Sequence, residues 1–241
     1  LFATLRFGLA TILTISLVNR KLFQLTNNEI TGGIVCGFFL FLGYGFQNFG
    51  LMHTTASKSA FITSVSVLLV PIFLITCNLQ KVKWRIWIAV LLATIGLYLL
   101  ILPGGGGLSL GDILTSGCAF SFALHIIAQD IYVKKEIRLL PFFCVQSGFV
   151  TLFSFVNAQI FESSAIIWSD RLFAAIIITG VLATFAAFLI MIWAQKILNP
   201  SETAIIFAGE PVAAALFATA FGGEILGLWG WIGGGLVCLA V

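Results

Sequence analysis

An acid followed by a proline inside an apolar run is where this chain could first do chemistry. Glu210 stands in IIFAGEPVAAA, midway along the hydrophobic run 203–222, and Pro211 follows it. Pro211 has no backbone N–H to donate and should free the carbonyl near Phe207. A carboxyl group beside a locally unsatisfied backbone suits a cation, an amine, or a proton bound and released in turn. The competing reading is a structural acid, hydrogen-bonded at the broken turn. A second proline, Pro71, interrupts the run 58–79. A shift of 144 residues places Ser66 on Glu210 and leaves Pro71 about one helical turn beyond the position matching Pro211. Two broken helices of unequal polarity are therefore expected.

Other polar side chains sit in or beside apolar runs. Arg6 lies near one end of the run 1–18. It either reaches to lipid headgroups or faces a cavity and pairs with a substrate carboxylate. Lys58, at the start of its run, has the same two readings. Ser121, His125 and Gln129 are spaced i, i+4, i+8 along one helix face. His125 is either a proton relay or substrate contact, or a packing histidine. Asp130 is placed to pair with Lys134 at i+4. Gln47, Asn48, Gln146 and Asn157 are further polar options, and amides in such helices also serve as interhelical glue.

The elements that must carry these residues follow from composition. The chain has 241 residues, 60% hydrophobic and 9% charged, with a formal net charge of +3. A soluble domain carries about 25% charge. That shortfall excludes an ordinary cytosolic enzyme and a disordered protein, and the small basic excess excludes a nucleic-acid surface. Apolar runs fall near 1–18, 31–52, 58–79, 84–102, 113–132, 140–160, 171–194, 203–222 and 226–241. A span takes about 20 residues. The runs are continuous rather than alternating, so they are helices and not barrel strands. The fold expected is an all-α polytopic membrane protein with about nine transmembrane helices visible.

Cys36, Cys77, Cys118, Cys144 and Cys238 are scattered singly through apolar runs, with no CxxC and no zinc spacing. There is no H-E-x-x-H and no phosphate-binding loop. No metal or other cofactor is expected. PGGGGLSLGD (103–112) reads as a linker joining two halves, 1–102 and 113–241.

Lys and Arg gather in alternate loops: Arg20 and Lys21, then Lys81, Lys83 and Arg85, then Lys134, Lys135 and Arg138, then Lys196. The intervening loops hold Lys58 and Arg171. The basic loops are read as cytoplasmic. Both ends of the chain read as cut inside or beside a membrane segment, with one helix preceding Leu1. Both native termini would then be cytoplasmic.

The same shift of 144 aligns 57–97 with 201–241, matching Ser57 to Ser201, Ala60 to Ala204, Ile62 to Ile206, Phe73 to Phe217, Trp87 to Trp231, Ile88 to Ile232 and Leu92 to Leu236. The hydropathy boundaries follow the same offset. Two five-helix halves of odd helix number would be inverted repeats, and such repeats place a substrate site at their interface. Gly230 and Gly234 form a GxxxG in the last helix and mark close packing, within the chain or in a homodimer.

TTASKSAFITSVSVLLVPIF (54–73), NPSETAIIFAGEPVAAALFA (199–218) and LSLGDILTSGCAFSFALHIIAQDIY (108–132) resemble the signatures of EamA-type transporters of the drug/metabolite transporter superfamily. Order and spacing carry the resemblance more than any single motif. It implies a ten-helix inner-membrane carrier that exports or exchanges small metabolites, amino acids or drugs, often driven by an ion gradient such as protons. The partners expected are a small-molecule substrate, protons and membrane lipids, with no nucleic acid. A lipid flippase or channel is the alternative, although no charge ring is evident. An intramembrane enzyme would need a dyad, for which only Asp130 and Glu210 offer acids.

Overall fold

The computed structural model describes residues 1–17, 24–101, 108–162, 168–221, 225 and 227–241. Arg20, Lys21 and the glycine-rich stretch 103–107 lie outside the described residues. The regular structure described is helical: α1 (Phe2–Leu17), α2 (Asn27–Leu51), α3 (Ala56–Ser64), α4 (Ser66–Thr76), α5 (Trp84–Ile101), α6 (Leu110–Val133), α7 (Leu139–Phe161), α8 (Asp170–Ile177), a π-helical segment (Ile178–Ala186), α9 (Ala187–Ala194), α10 (Pro200–Phe207), α11 (Gly209–Phe221) and α12 (Leu228–Ala240).

Among the described residues, seven stretches are long and apolar enough to cross a membrane, and Phe2–Leu17 and Leu228–Ala240 are shorter apolar helices. Three of the seven are composite. Residues 56–76 break at Val65, residues 200–221 break at Ala208, and residues 170–194 contain the π-helical segment. Large apolar side chains such as Ile12, Leu91, Ile160 and Phe217 are exposed along these helices. That arrangement is unfavourable in water and ordinary in lipid, where the backbone must satisfy itself.

Several helix starts are written in short polar motifs. Thr26 and Glu29 form a reciprocal cap on α2: the Glu29 carboxylate accepts from Thr26 N and the Thr26 hydroxyl accepts from Glu29 N. Ser109 and Asp112 do the same for α6, and Asn199 and Glu202 for α10. Each cap satisfies two donors that would otherwise be orphaned. The Ser109 cap also corrects the linker expected at 103–112, since Leu110–Asp112 form the first turn of α6.

Contacts divide the chain into two compact units, Leu1–Phe41 with Ala128–Ile197, and Leu42–Ile127 with Leu198–Val241. Each unit draws residues from both sides of the stretch 103–112. The first packs Ala10, Cys36, Val133, Phe142, Phe143 and Ile192 into its core. The second packs Val67, Val90, Leu97, Ile205, Ala208 and Val237.

The closest helix pair in the second unit is α5 with α12. A methyl group added at Gly233 would lie 2.5 Å from both the Gly96 carbonyl oxygen and Leu100 N. Only hydrogen fits there, so the two backbones meet directly. The close packing expected of the GxxxG at Gly230 and Gly234 is tightest at the neighbouring Gly233. Both glycines are buried, but Gly233 makes the tight contact, and its partner Gly96 is in the same chain.

Candidate functional site

In the second unit the two broken helices come together. Thr55 caps α3 by accepting a hydrogen bond from Lys58 N. Asn199, 144 residues later, caps α10 by accepting from Glu202 N. The first helix breaks at Val65, whose N–H bonds to Ile62 and Thr63 carbonyls. The second breaks at Ala208, whose N–H reaches Ala204, Ile205 and Ile206 carbonyls. Val67 just past one break packs in the same core cluster as Ala208 and Val212 at the other. Two helix interruptions thus share one apolar core.

Glu210 is the second residue of α11. The break in its run lies at Ala208, as the chemistry of Pro211 suggests, so Glu210 occupies the first turn of a helix rather than the middle of one. A carboxylate is favoured there by the helix dipole. Its side chain is exposed, and the protein itself does not enclose it. Ser66 opens α4 at the equivalent place and is half-buried. Pro71 is buried inside α4. It does not make the break in its run, which falls at Val65; a proline in a membrane helix can be accommodated without interruption by neighbouring groups. Gln47 is half-buried, and Ser121 and His125 are buried in the same unit.

Lys58 lines a pocket with His53, Thr54 and Ser109 and has an internal partner. Its ammonium stands 3.7 Å from the Asp112 carboxylate, which also accepts the Thr54 hydroxyl. Asp112 is therefore both the cap of α6 and an anchor for the start of α3.

Among the described residues of the first unit, three polar centres involve long polar or charged side chains inside or beside the apolar helices. The guanidinium of Arg6 donates through Nε to the hydroxyl of Thr184 and through Nη2 to the carbonyl of Ala183 at 3.4 Å. Thr184 is fully buried in the π-helical segment and donates to the Thr179 carbonyl five residues back at 2.8 Å. Gly180 fits this segment against α1: a methyl there would meet Leu9 Cδ2 at 2.9 Å and the Arg6 carbonyl at 3.2 Å.

The second centre is an amide pair. Gln129 donates to Gln195 at 2.8 Å, both fully buried. Gln146 is also fully buried in this unit. Asp130 and Lys134 form the expected i, i+4 pair at 2.8 Å.

The third centre is the fork of Arg138 on Glu29. Nε meets one carboxylate oxygen and Nη2 the other, each at 2.7 Å, while Arg138 N donates at 3.1 Å. The hydrogen bond to Glu29 holds the Arg138 guanidinium above its ordinary pKa. Glu29 is 1% exposed, so its charge is matched by a bidentate partner, the geometry that suits arginine best.

Of the sequence-predicted residues, Glu210, Pro211 and Ser66 fall at the two breaks, and Arg6 falls at the π-helical segment. His125, Gln129 and Gln146 are packed inside their own units. Glu29, Asp112, Thr184 and Gln195 are additional to the expected set. The first two are legible as the last residues of TNNE (26–29) and SLGD (109–112), a helix-start motif. Thr184 and Gln195 gain their roles only from partners more than sixty residues away.

These features define an all-α polytopic membrane protein with interrupted helices. The model of the EamA-like transporter family matches residues 1–102 and 109–241. An uncharacterized transporter of Archaeoglobus fulgidus is 34% identical over 214 residues, covering 88% of this chain and 68% of that protein. A solved crystal structure superposes with a TM-score of 0.82 at 15% identity, over 99% of this chain and 84% of the other, a likeness of fold alone. The chain belongs to the EamA-like transporter family and is a membrane transporter.

Proposed function

We infer that the protein is a secondary active transporter that exports or exchanges small metabolites, amino acids or drugs by alternating access across a bacterial inner membrane. The observation that carries this reading is the pair of broken helices. Their caps, Thr55 and Asn199, lie 144 residues apart, and their breaks at Val65 and Ala208 fall within one residue of the same offset. Interrupted helices in corresponding halves are how secondary carriers build solute and ion sites. The family match over 1–102 and 109–241 supports reading those segments as two inverted repeats. In this reading both native termini are cytoplasmic and the basic loops face inward.

Glu210 is the proposed coupling group. Among the described residues it has no ion-pair or hydrogen-bond partner in the structure, it stands at a break, and it is exposed. A carboxyl group so placed can exchange a proton or an amine without first breaking an internal salt bridge. The test is uptake of radiolabelled solutes by liposomes containing the full-length protein, with and without an imposed proton gradient. Gradient-dependent accumulation that is lost in Glu210→Gln supports the reading. Gradient-dependent accumulation that survives in Glu210→Gln removes Glu210 from the mechanism.

A further inference from the structure

We propose that the pocket bordered by Lys134, Glu136 and Lys196 seats the headgroup of a phospholipid that carries both a phosphate and a primary ammonium, a phosphatidylethanolamine. Such binding requires the membrane setting of the chain and not the coupling proposed for Glu210.

Two membrane-length stretches of the first unit end at this pocket. α6 stops at Val133, and the composite stretch Asp170–Ala194 stops one turn further along the chain. The pocket, of about 380 Å³, is lined by Val133, Lys134, Glu136, Ile137 and Lys196. Lys196 Nζ donates to the Ile137 carbonyl at 3.2 Å and so ties the two helix ends together. Lys134, Glu136 and Lys196 are exposed, and Val133 and Ile137 are buried beneath them. Ile131, Trp193 and Ile197, close by in the chain, are exposed apolar side chains. Residues just past a span stand at headgroup level, where aromatic and apolar neighbours meet the upper acyl chains.

Lysines at such helix ends are ordinary, because the carbonyl end of a helix favours cations. Glu136 is not ordinary. It follows the α6 C-terminus by three residues, where a negative charge is disfavoured. Its φ of 56° lies in the left-handed region, where glycine and asparagine are the usual residues. Residues held in that way gather at ligand sites. Among the described residues Glu136 has no ion-pair or hydrogen-bond partner of its own. Lys134 is balanced by Asp130 at 2.8 Å, so the pocket presents the Lys196 ammonium and the Glu136 carboxylate as its opposite charges. An ammonium has three N–H groups, and the Ile137 carbonyl takes one from Lys196. A phosphate oxygen can accept another, while Glu136 accepts from a headgroup ammonium. Phosphatidylcholine has the same phosphate but no N–H to give Glu136. Phosphatidylglycerol brings an uncompensated negative charge up to that carboxylate.

The test is native mass spectrometry of the full-length protein, offered phosphatidylethanolamine, phosphatidylcholine and phosphatidylglycerol of identical acyl chains in equal amounts. Wild type retains phosphatidylethanolamine about tenfold over phosphatidylcholine, the effect of one added charge-assisted hydrogen bond. Glu136→Gln loses that preference and gains retention of phosphatidylglycerol, a rise that damage to the fold would not produce. Lys196→Gln weakens retention of all three lipids. Lys135→Gln, whose ammonium lies over the Tyr132 ring and does not line the pocket, behaves like wild type. Equal retention of phosphatidylethanolamine and phosphatidylcholine by wild type overturns the proposal, as does a preference that survives in Glu136→Gln. Stronger retention of phosphatidylglycerol than of phosphatidylethanolamine by wild type, or an equal loss in Lys135→Gln and Lys196→Gln, also overturns it, since bulk positive charge would then be the cause. Solute flux is not part of the readout, so failure here leaves the transport reading untouched, and failure of that reading leaves this one standing.

Discussion

Thr55 and Asn199 stand 144 residues apart, and each closes the first turn of a helix that breaks soon afterwards, at Val65 in one case and Ala208 in the other. The caps are chemically different, a hydroxyl and an amide, but both accept from the backbone N–H three residues on. Replacing either by alanine should cost about 1 kcal/mol. Thermal unfolding of Thr55→Ala and Asn199→Ala measures this. Asn199→Ala keeps the reciprocal half of its cap, because Glu202 accepts from the backbone N–H of residue 199, which alanine retains.

Glu210→Gln should insert and fold like wild type, since the side chain is exposed and the helix start tolerates a neutral acceptor. Its gradient-driven flux should fall to background. Yield and melting temperature, measured beside flux, separate loss of coupling from loss of protein.

The helix seam of the second unit gives a purely steric prediction. Gly233→Ala and Gly96→Ala drive a methyl to within 2.7 Å of a facing backbone oxygen or closer. Each should destabilise by about 1–3 kcal/mol. Gly235→Ala, with nothing within 4 Å of the added carbon, is the matched control and should be near neutral.

How much of this is legible in the sequence depends on the range of the interaction. The apolar runs set the helices, because lipid leaves the backbone no other partner. Their starts are moved outward by local caps: TNNE begins α2 ahead of the run at 31, and SLGD begins α6 ahead of 113. Pro211 correctly marks a break near Phe207. Pro71 misleads, because a proline alone does not decide whether a neighbouring turn opens; that break falls at Val65. Gly233 is hidden behind the more conspicuous Gly230–Gly234 spacing, because the tight contact depends on Gly96 in another helix. The π-helical winding and the bond from Arg6 to Thr184 span 178 residues, and no local pattern encodes them.

Arg138→Ala should lower the melting temperature, because it leaves Glu29 buried without its bidentate partner. Arg138→Lys should recover only part of the loss. The pH dependence has a definite sign. A basic group whose folded pKa is raised contributes stability that is present below its ordinary value and lost only as pH rises through the folded one. As long as Glu29 is ionised, the contribution of the Arg138 charge should therefore stay constant through neutral pH and fade in strong alkali. Melting temperatures of wild type and Arg138→Ala across a pH series check this.

The central claim is carriage of a small solute, coupled to protons through Glu210. Its most direct test is uptake by liposomes containing the full-length protein, with an inward or outward proton gradient imposed and then collapsed by an ionophore. The account predicts accumulation that disappears when the gradient collapses and is absent in Glu210→Gln. Solute movement that ignores the gradient, equal in wild type and Glu210→Gln, would contradict it.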